Sequence, residues 1–225
     1  VGEASTTTLF YFEQAIAAIH HYLGDPAILI ILRNPAERAY SNYNYLLVDM
    51  REELSFQEAL RAEETRTRLG YGLMWRYRAA GLYADPVRAY QQNFSRVKVI
   101  LHEDLKRNPD LTTAQIYRFI GVSPAFVPDV SQTHNRSAVP VIAGFNALFA
   151  RPGRFHKSLR RAGSRILGEN RWIRLREGLR ALNLRQPPLP DPFVMRELRD
   201  YFRPDILNLQ ELIGRDLSSW LGEAA

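Results

Sequence analysis

An unbroken apolar run, Ala27-Ile-Leu-Ile-Ile-Leu32, lies between two proline turns, Asp25-Pro26 and Asn34-Pro35. It is rich in isoleucine and does not alternate with polar residues, as expected of a parallel-sheet strand covered on both faces. Its six residues fall far short of the roughly 20 that a membrane-spanning helix needs. Upstream, Phe12, Ile16, Ile19 and Leu23 recur at helical spacing, and Gly24 follows as a helix-ending residue. Downstream, Asn34 and Pro35 read as the N-cap and first residue of a helix reaching about Asp49. Helix, buried strand, short loop, helix is the order of an open α/β sheet.

The pattern continues along the chain. Phe56–Arg68 and Asp85–Phe94 read as helices, and Val97-Lys-Val-Ile-Leu101 as a second buried strand. His102–Asp104 reads as an acidic turn, Thr113–Ile120 as a helix stopped by Gly121, and 122–140 as a loop. The tail alternates Arg-rich helical segments with a proline-rich linker, Gln186–Pro192, and closes with helical Asp205–Ile213 and Asp216–Trp220. With no internal repeat and no strong boundary, 1–225 is expected to form one α/β domain with a helical C-terminal layer. Within it, 131–190 would be a variable, basic helical region.

A chain of 225 residues buries roughly 70% of its unfolded surface, enough to fold without covalent staples. There is no cysteine, which excludes a disulfide scaffold, a thiolate metal site and a cysteine nucleophile. His20, His21, His134 and His156 lack zinc-ligand spacing, so no metal is expected. No charged-then-apolar signal peptide opens the chain. With no transmembrane run either, a cytoplasmic location is expected.

The net charge of +6 is local. Residues 1–130 carry a net −1, whereas 151–185 carry 11 basic groups against Glu169 and Glu177. In that segment arginine stems interleave with apolar residues, which suits amphipathic helices whose stems cover the core. It also suits an anionic partner: an acidic acceptor, a membrane surface or nucleic acid. No recognised nucleic-acid motif accompanies it.

In an open parallel sheet, ligands bind where strand C-termini feed helix N-termini. Arg33 stands at such a junction with a planar fork of donors suited to phosphate. Ser41, in the second turn of the next helix, adds a hydroxyl, and the helix N-terminus adds positive potential. Together they make a candidate monoester-phosphate site. A plain surface ion pair at Arg33 and a solvated Ser41 would give the same pattern.

The segment ILIILRNPAERAYSNY resembles the 3′-phosphate-binding segment of sulfotransferases that use 3′-phosphoadenosine 5′-phosphosulfate (PAPS). GEAS (Gly2–Ser5), GLYADPVRAYQQNF (Gly81–Phe94), VKVILHEDLKRNP (Val97–Pro109) and YFRPDILNLQELIGRDLSSW (Tyr201–Trp220) resemble further family segments, in the family's order. The resemblance implies a P-loop NTPase-like three-layer α/β fold with a parallel sheet. It implies a PAPS-dependent enzyme sulfating a hydroxyl or amine of a carbohydrate or small-molecule acceptor. Arg33 and Ser41 would hold the 3′-phosphate and Arg136, in a late basic loop, would add a contact. His102 stands where relatives stack a Tyr on adenine, and Tyr83 is a further cofactor-pocket candidate. Glu103 and Asp104 look like proton acceptors, but the family uses that turn architecturally.

The family's Gly/Thr-rich phosphosulfate loop, usually bearing a lysine, has no counterpart here. Lys98, Lys106 and Lys157 all lie outside any glycine-rich loop. That loop and the catalytic base are therefore expected upstream of Val1. Thr6 and Thr8 also depart from the family's usual proline and aromatic. The competing expectation is a non-catalytic nucleotide- or polyanion-binding module on the same fold.

Overall fold

In a computed structural model of the chain, the described residues are 2–126, 139–140, 168, 171–172, 178 and 184–222. They fall into two compact units. One takes the described residues of 1–39, 63–134 and 191–225, and the other those of 40–62 and 135–190. Arg136 and almost all of the basic segment 151–185 lie outside the described residues.

The first unit is built on two parallel strands. β1 (Ile28–Leu32) and β2 (Val97–Leu101) pair in register from Ile28↔Val97 to Leu32↔Leu101. A parallel pair needs a crossover. The chain between the strands forms α2 (Pro35–Val48), α3 (Phe56–Arg68), 3₁₀ turns at Leu73–Trp75 and Ala79–Gly81, and α4 (Ala84–Asn93). Ile30 and Leu32 are 7% and 2% exposed, whereas Ile31, on the opposite face, is 49% exposed. The expected double coverage of β1 therefore holds for one face among the described residues, because successive side chains alternate sides.

α1 (Phe12–Leu23) precedes β1 and ends at Gly24, whose φ of 72° suits a residue without Cβ. The His20 ring nitrogen Nδ1 lies 3.0 Å from the Gly24 carbonyl, and the ring stacks on Phe94. The His20 ring thereby engages a carbonyl at the end of α1.

The expected acidic turn at His102 is instead the start of a helix, α5 (His102–Arg107), followed by α6 (Pro109–Ile120). Asp104, at the third helical position, folds back to accept the Leu101 N–H at 3.3 Å, which closes a first turn. α6 begins four residues before the expected Thr113, since Pro109 serves as a helix-opening proline after Asn108.

The largest departure is the closing helix. α7 (Pro192–Ile213) starts thirteen residues before the expected Asp205, capped by Asp191, whose carboxylate accepts the Phe193 N–H at 2.8 Å. Val194, Leu198, Phe202, Ile206 and Leu209 form its buried stripe, and Pro204 is carried inside it. The Asp205 carboxylate accepts the N–H groups of Tyr83 (2.7 Å) and Ala84 (3.1 Å), supplying the start of α4 with a cap from a distant helix. Among the described residues no helix is long and apolar enough to cross a membrane.

Gly81 marks the tightest approach in this unit. A Cβ there would sit 2.8 Å from Phe202 Cε1 and Cζ and 3.0 Å from Pro35 Cβ. Phe202 and Pro35 are fully buried and have no room to yield. Gly81→Ala should cost about 1–3 kcal/mol as an overpacking change, read as a lower urea midpoint at unchanged slope; an unaltered midpoint would refute this packing.

In the second unit Tyr40, Tyr43 and Phe56 form an aromatic cluster, each tyrosine ring centred 5.1 Å from that of Phe56. The Tyr43 hydroxyl donates to the Leu54 carbonyl at 3.0 Å, and the Tyr40 hydroxyl to that of Pro188 at 2.7 Å. Burial, with the nearby charge of Glu52, pushes the Tyr43 phenol up to about 12. A short antiparallel bridge pairs β3 (Val139–Pro140) with β4 (Leu184–Arg185).

Candidate functional site

Leu32 and Leu101 are paired at the ends of β1 and β2, so Arg33 and His102 both step off the C-terminal edge of the sheet. The next turn is fixed by Asn34, whose Oδ1 accepts the N–H groups of Ala36 (3.0 Å) and Glu37 (3.3 Å). This is the N-cap expected before Pro35. Asn34 Nδ2 donates in turn to the Trp220 carbonyl at 3.3 Å, which ties the start of α2 to the 3₁₀ turn Ser218–Leu221. Ser41 follows in the second turn of α2, half-buried.

Arg33, between β1 and α2, is engaged by the first turn of α2. Its Nε and Nη2 donate to Glu37 Oε2 at 3.3 and 3.1 Å, and both side chains remain partly exposed. Arg38, one residue beyond Glu37, donates through Nη2 to the Tyr77 carbonyl, and its Nε is buried without a hydrogen-bond partner among the described residues. Tyr83 is 4% exposed, with its ring edge-on to Trp220 at 6.4 Å. Burial raises its phenol, an effect the Arg38 and Arg33 charges partly oppose. Tyr83 is thus a core residue beneath the cationic side chains, with little surface left for a ligand.

Burial, then the charges of Lys106 and Arg33, holds His102 below the ordinary imidazole value of 6.5. Its ring is therefore neutral at neutral pH, a flat uncharged surface at the sheet edge. Glu103 and Asp104 are committed to structure. Asp104 receives Arg215 in a two-bond fork, 3.0 Å at each oxygen, and Glu103 Oε1 accepts from Trp220 Nε1 at 3.2 Å. The second Glu103 oxygen is buried without a partner among the described residues.

The Asp104–Arg215 fork has a defined pH signature. The hydrogen bonds from Arg215 hold the Asp104 carboxyl below its ordinary 3.8. A depressed carboxylate stabilises the fold above its unfolded value, and that contribution is lost as pH falls through the lower folded value. Arg215→Gln should therefore melt lower than the wild type at pH 5–8, with the gap narrowing as pH drops below about 3.8. A gap unchanged down to pH 2 would disprove the pairing.

Arg33 after β1 and Ser41 in α2 stand on the elements expected from sequence, whereas His102 opens α5 rather than a turn. The contacts of Arg33 with Glu37 and of Trp220 with Asn34 and Glu103 were not among those expectations. The Glu37 contact is local, joining the residue before the Asn34 cap to the third residue of α2. Nothing local announces the Trp220 contact, which joins residues 186 positions apart. Among the described residues no group of three His, Asp or Glu is placed to hold a metal ion.

No curated protein matches the chain. A solved structure described as a sulfotransferase from Alicyclobacillus acidocaldarius is similar at 35% identity and a TM-score of 0.70, covering 98% of this chain and 67% of that one. The sulfotransferase family model matches residues 6–126, a span holding β1, the Asn34-capped helix start, β2 and α5. The match thus encloses the sheet edge that carries Arg33 and His102 and covers more than half of the chain, which belongs to the sulfotransferase family.

Proposed function

We propose that the chain binds PAPS by its 3′-phosphate and serves sulfuryl transfer to a hydroxyl or amine of a carbohydrate or small-molecule acceptor. One observation carries the donor assignment. The Arg33 fork, at the sheet's C-terminal edge beside a capped helix start, already grips an oxyanion in the form of the Glu37 carboxylate. A phosphate monoester offers the same geometry with more charge. Ser41 would add a hydroxyl from the second turn of α2, and Arg136 a further cation. The neutral His102 ring would lie against the adenine. Tyr83, with its small exposure, supports the arginines from below.

In the transfer, an acceptor oxygen or nitrogen forms a bond to sulfur while the sulfur–oxygen bond to the 5′-phosphate breaks. The bonding electrons leave on adenosine 3′,5′-bisphosphate, and the acceptor proton passes to a base. Rate comes from in-line positioning and from fixed donors around the spreading negative charge. Glu103 and Asp104 are not assigned as that base, because their oxygens are tied to Trp220 and Arg215 or buried.

Calorimetric titration of the 225-residue chain with adenosine 3′,5′-bisphosphate and, separately, adenosine 5′-monophosphate tests the donor assignment. Tighter binding of the bisphosphate is expected. Equal affinities, or no binding of either, would overturn it.

A further inference from the structure

We infer that Glu37 is a built-in competitor for the anion site on Arg33, so that nucleotide binding proceeds by exchanging one carboxylate ion pair for a phosphate one. The inference rests on Arg33 being the 3′-phosphate ligand. A single oxygen, Glu37 Oε2, takes both Nε (3.3 Å) and Nη2 (3.1 Å), the side edge of the guanidinium that a phosphate would engage with paired oxygens.

Glu37 occupies the third helical position after the Asn34 cap. A glutamate at that position ordinarily reaches back to the cap's own N–H. Here the side chain turns to Arg33 instead. The positive end of α2 favours an ionised carboxylate in this turn, so the pair is favourable while no ligand is present.

A phosphate placed on the same edge meets the Glu37 carboxylate at close range, and two anions cannot share one fork without repulsion. Glu37 is 51% exposed and is free to swing into water, while Arg33, at 31%, stays at the sheet edge. An exposed i,i+4 pair is weak, which makes the exchange inexpensive. It nonetheless sets a threshold: an incoming anion must bind Arg33 better than a carboxylate already in place. Arginine stacking or a plain helix-stabilising pair would predict no such coupling.

Four proteins decide the matter: wild type, Glu37→Gln, Arg33→Ala and the double variant, each titrated with adenosine 3′,5′-bisphosphate and adenosine 5′-monophosphate. Thermal melting checks that each is folded. Glu37→Gln should tighten bisphosphate binding about two- to fivefold, the scale of one exposed ion pair and a removed like charge. It should leave monophosphate binding unchanged, and have no effect once Arg33 is alanine. If Arg33→Ala weakens the bisphosphate while Glu37→Gln leaves it equal or weaker, the competitor role is wrong and the clamp stands. If Arg33→Ala changes nothing, or no variant binds the bisphosphate, the donor assignment falls and this inference with it.

Discussion

Trp220→Ala should lower folding stability by about 3–5 kcal/mol, the usual cost of removing a buried tryptophan. The residue is 2% exposed, its ring meets Tyr83, and its Nε1–H satisfies Glu103 Oε1 at 3.2 Å. Truncation opens a cavity and also leaves a Glu103 carboxylate whose second oxygen already lacks a partner among the described residues. Trp220→Phe partly separates the two effects. It keeps one aromatic ring and removes the donor together with part of the indole volume, so it should cost less than the alanine variant but at least the penalty of about 1–3 kcal/mol for one stranded polar partner. Urea unfolding at constant slope measures both. A Trp220→Ala loss below 1 kcal/mol would mean that the closing 3₁₀ turn does not pack on Tyr83 and Glu103 as described.

The contrast between Trp220 and the strands shows which parts of the structure could be read from the chain. β2 and α3 have the limits expected from sequence, and β1 differs by one residue, since an isoleucine-rich run between turn residues has few other ways to fold. Asn34-Pro35 and Gly24 worked for the same reason: each signal is local and has a direct steric or hydrogen-bonding cause. α7 was half missed: Gln186–Pro192 was expected as a proline-rich linker and the closing helix only from Asp205, the residue after Pro204. Pro192 instead opens the helix behind the Asp191 cap, and tertiary packing of Leu198 and Phe202 carries the helix through Pro204. A buried stripe running across a proline reports a fold-level energy that no local window contains.

The same division applies to the candidate site. Arg33 was legible because it follows a buried strand, and Glu37 stands only four residues on, in the first turn of α2. Asp205 at the start of α4 and Arg215 on Asp104 were not, since each joins segments more than 100 residues apart. The acidic pair Glu103-Asp104 looked chemical in sequence. The fold explains it as anchoring: the first helical turn of α5 is held to α7's end by Arg215 and to the closing turn by Trp220.

The other large expected effect is functional. Arg33→Ala should weaken adenosine 3′,5′-bisphosphate by about 2–5 kcal/mol, the range for truncating one partner of a hydrogen-bonded charge pair. The 31% exposure of the side chain argues for the lower part of that range, because solvent screens a partly exposed pair. Arg33→Lys keeps the charge but loses the planar fork, so it should fall between the wild type and the alanine variant. Adenosine 5′-monophosphate, which lacks the 3′-phosphate, should bind all three proteins alike. That differential separates a specific clamp from a general attraction of a +6 chain for anions, which would weaken both nucleotides together and vanish with added salt. Parallel losses for the two nucleotides would remove Arg33 from the 3′-phosphate and leave its bond to Glu37 as an ordinary helix-surface pair.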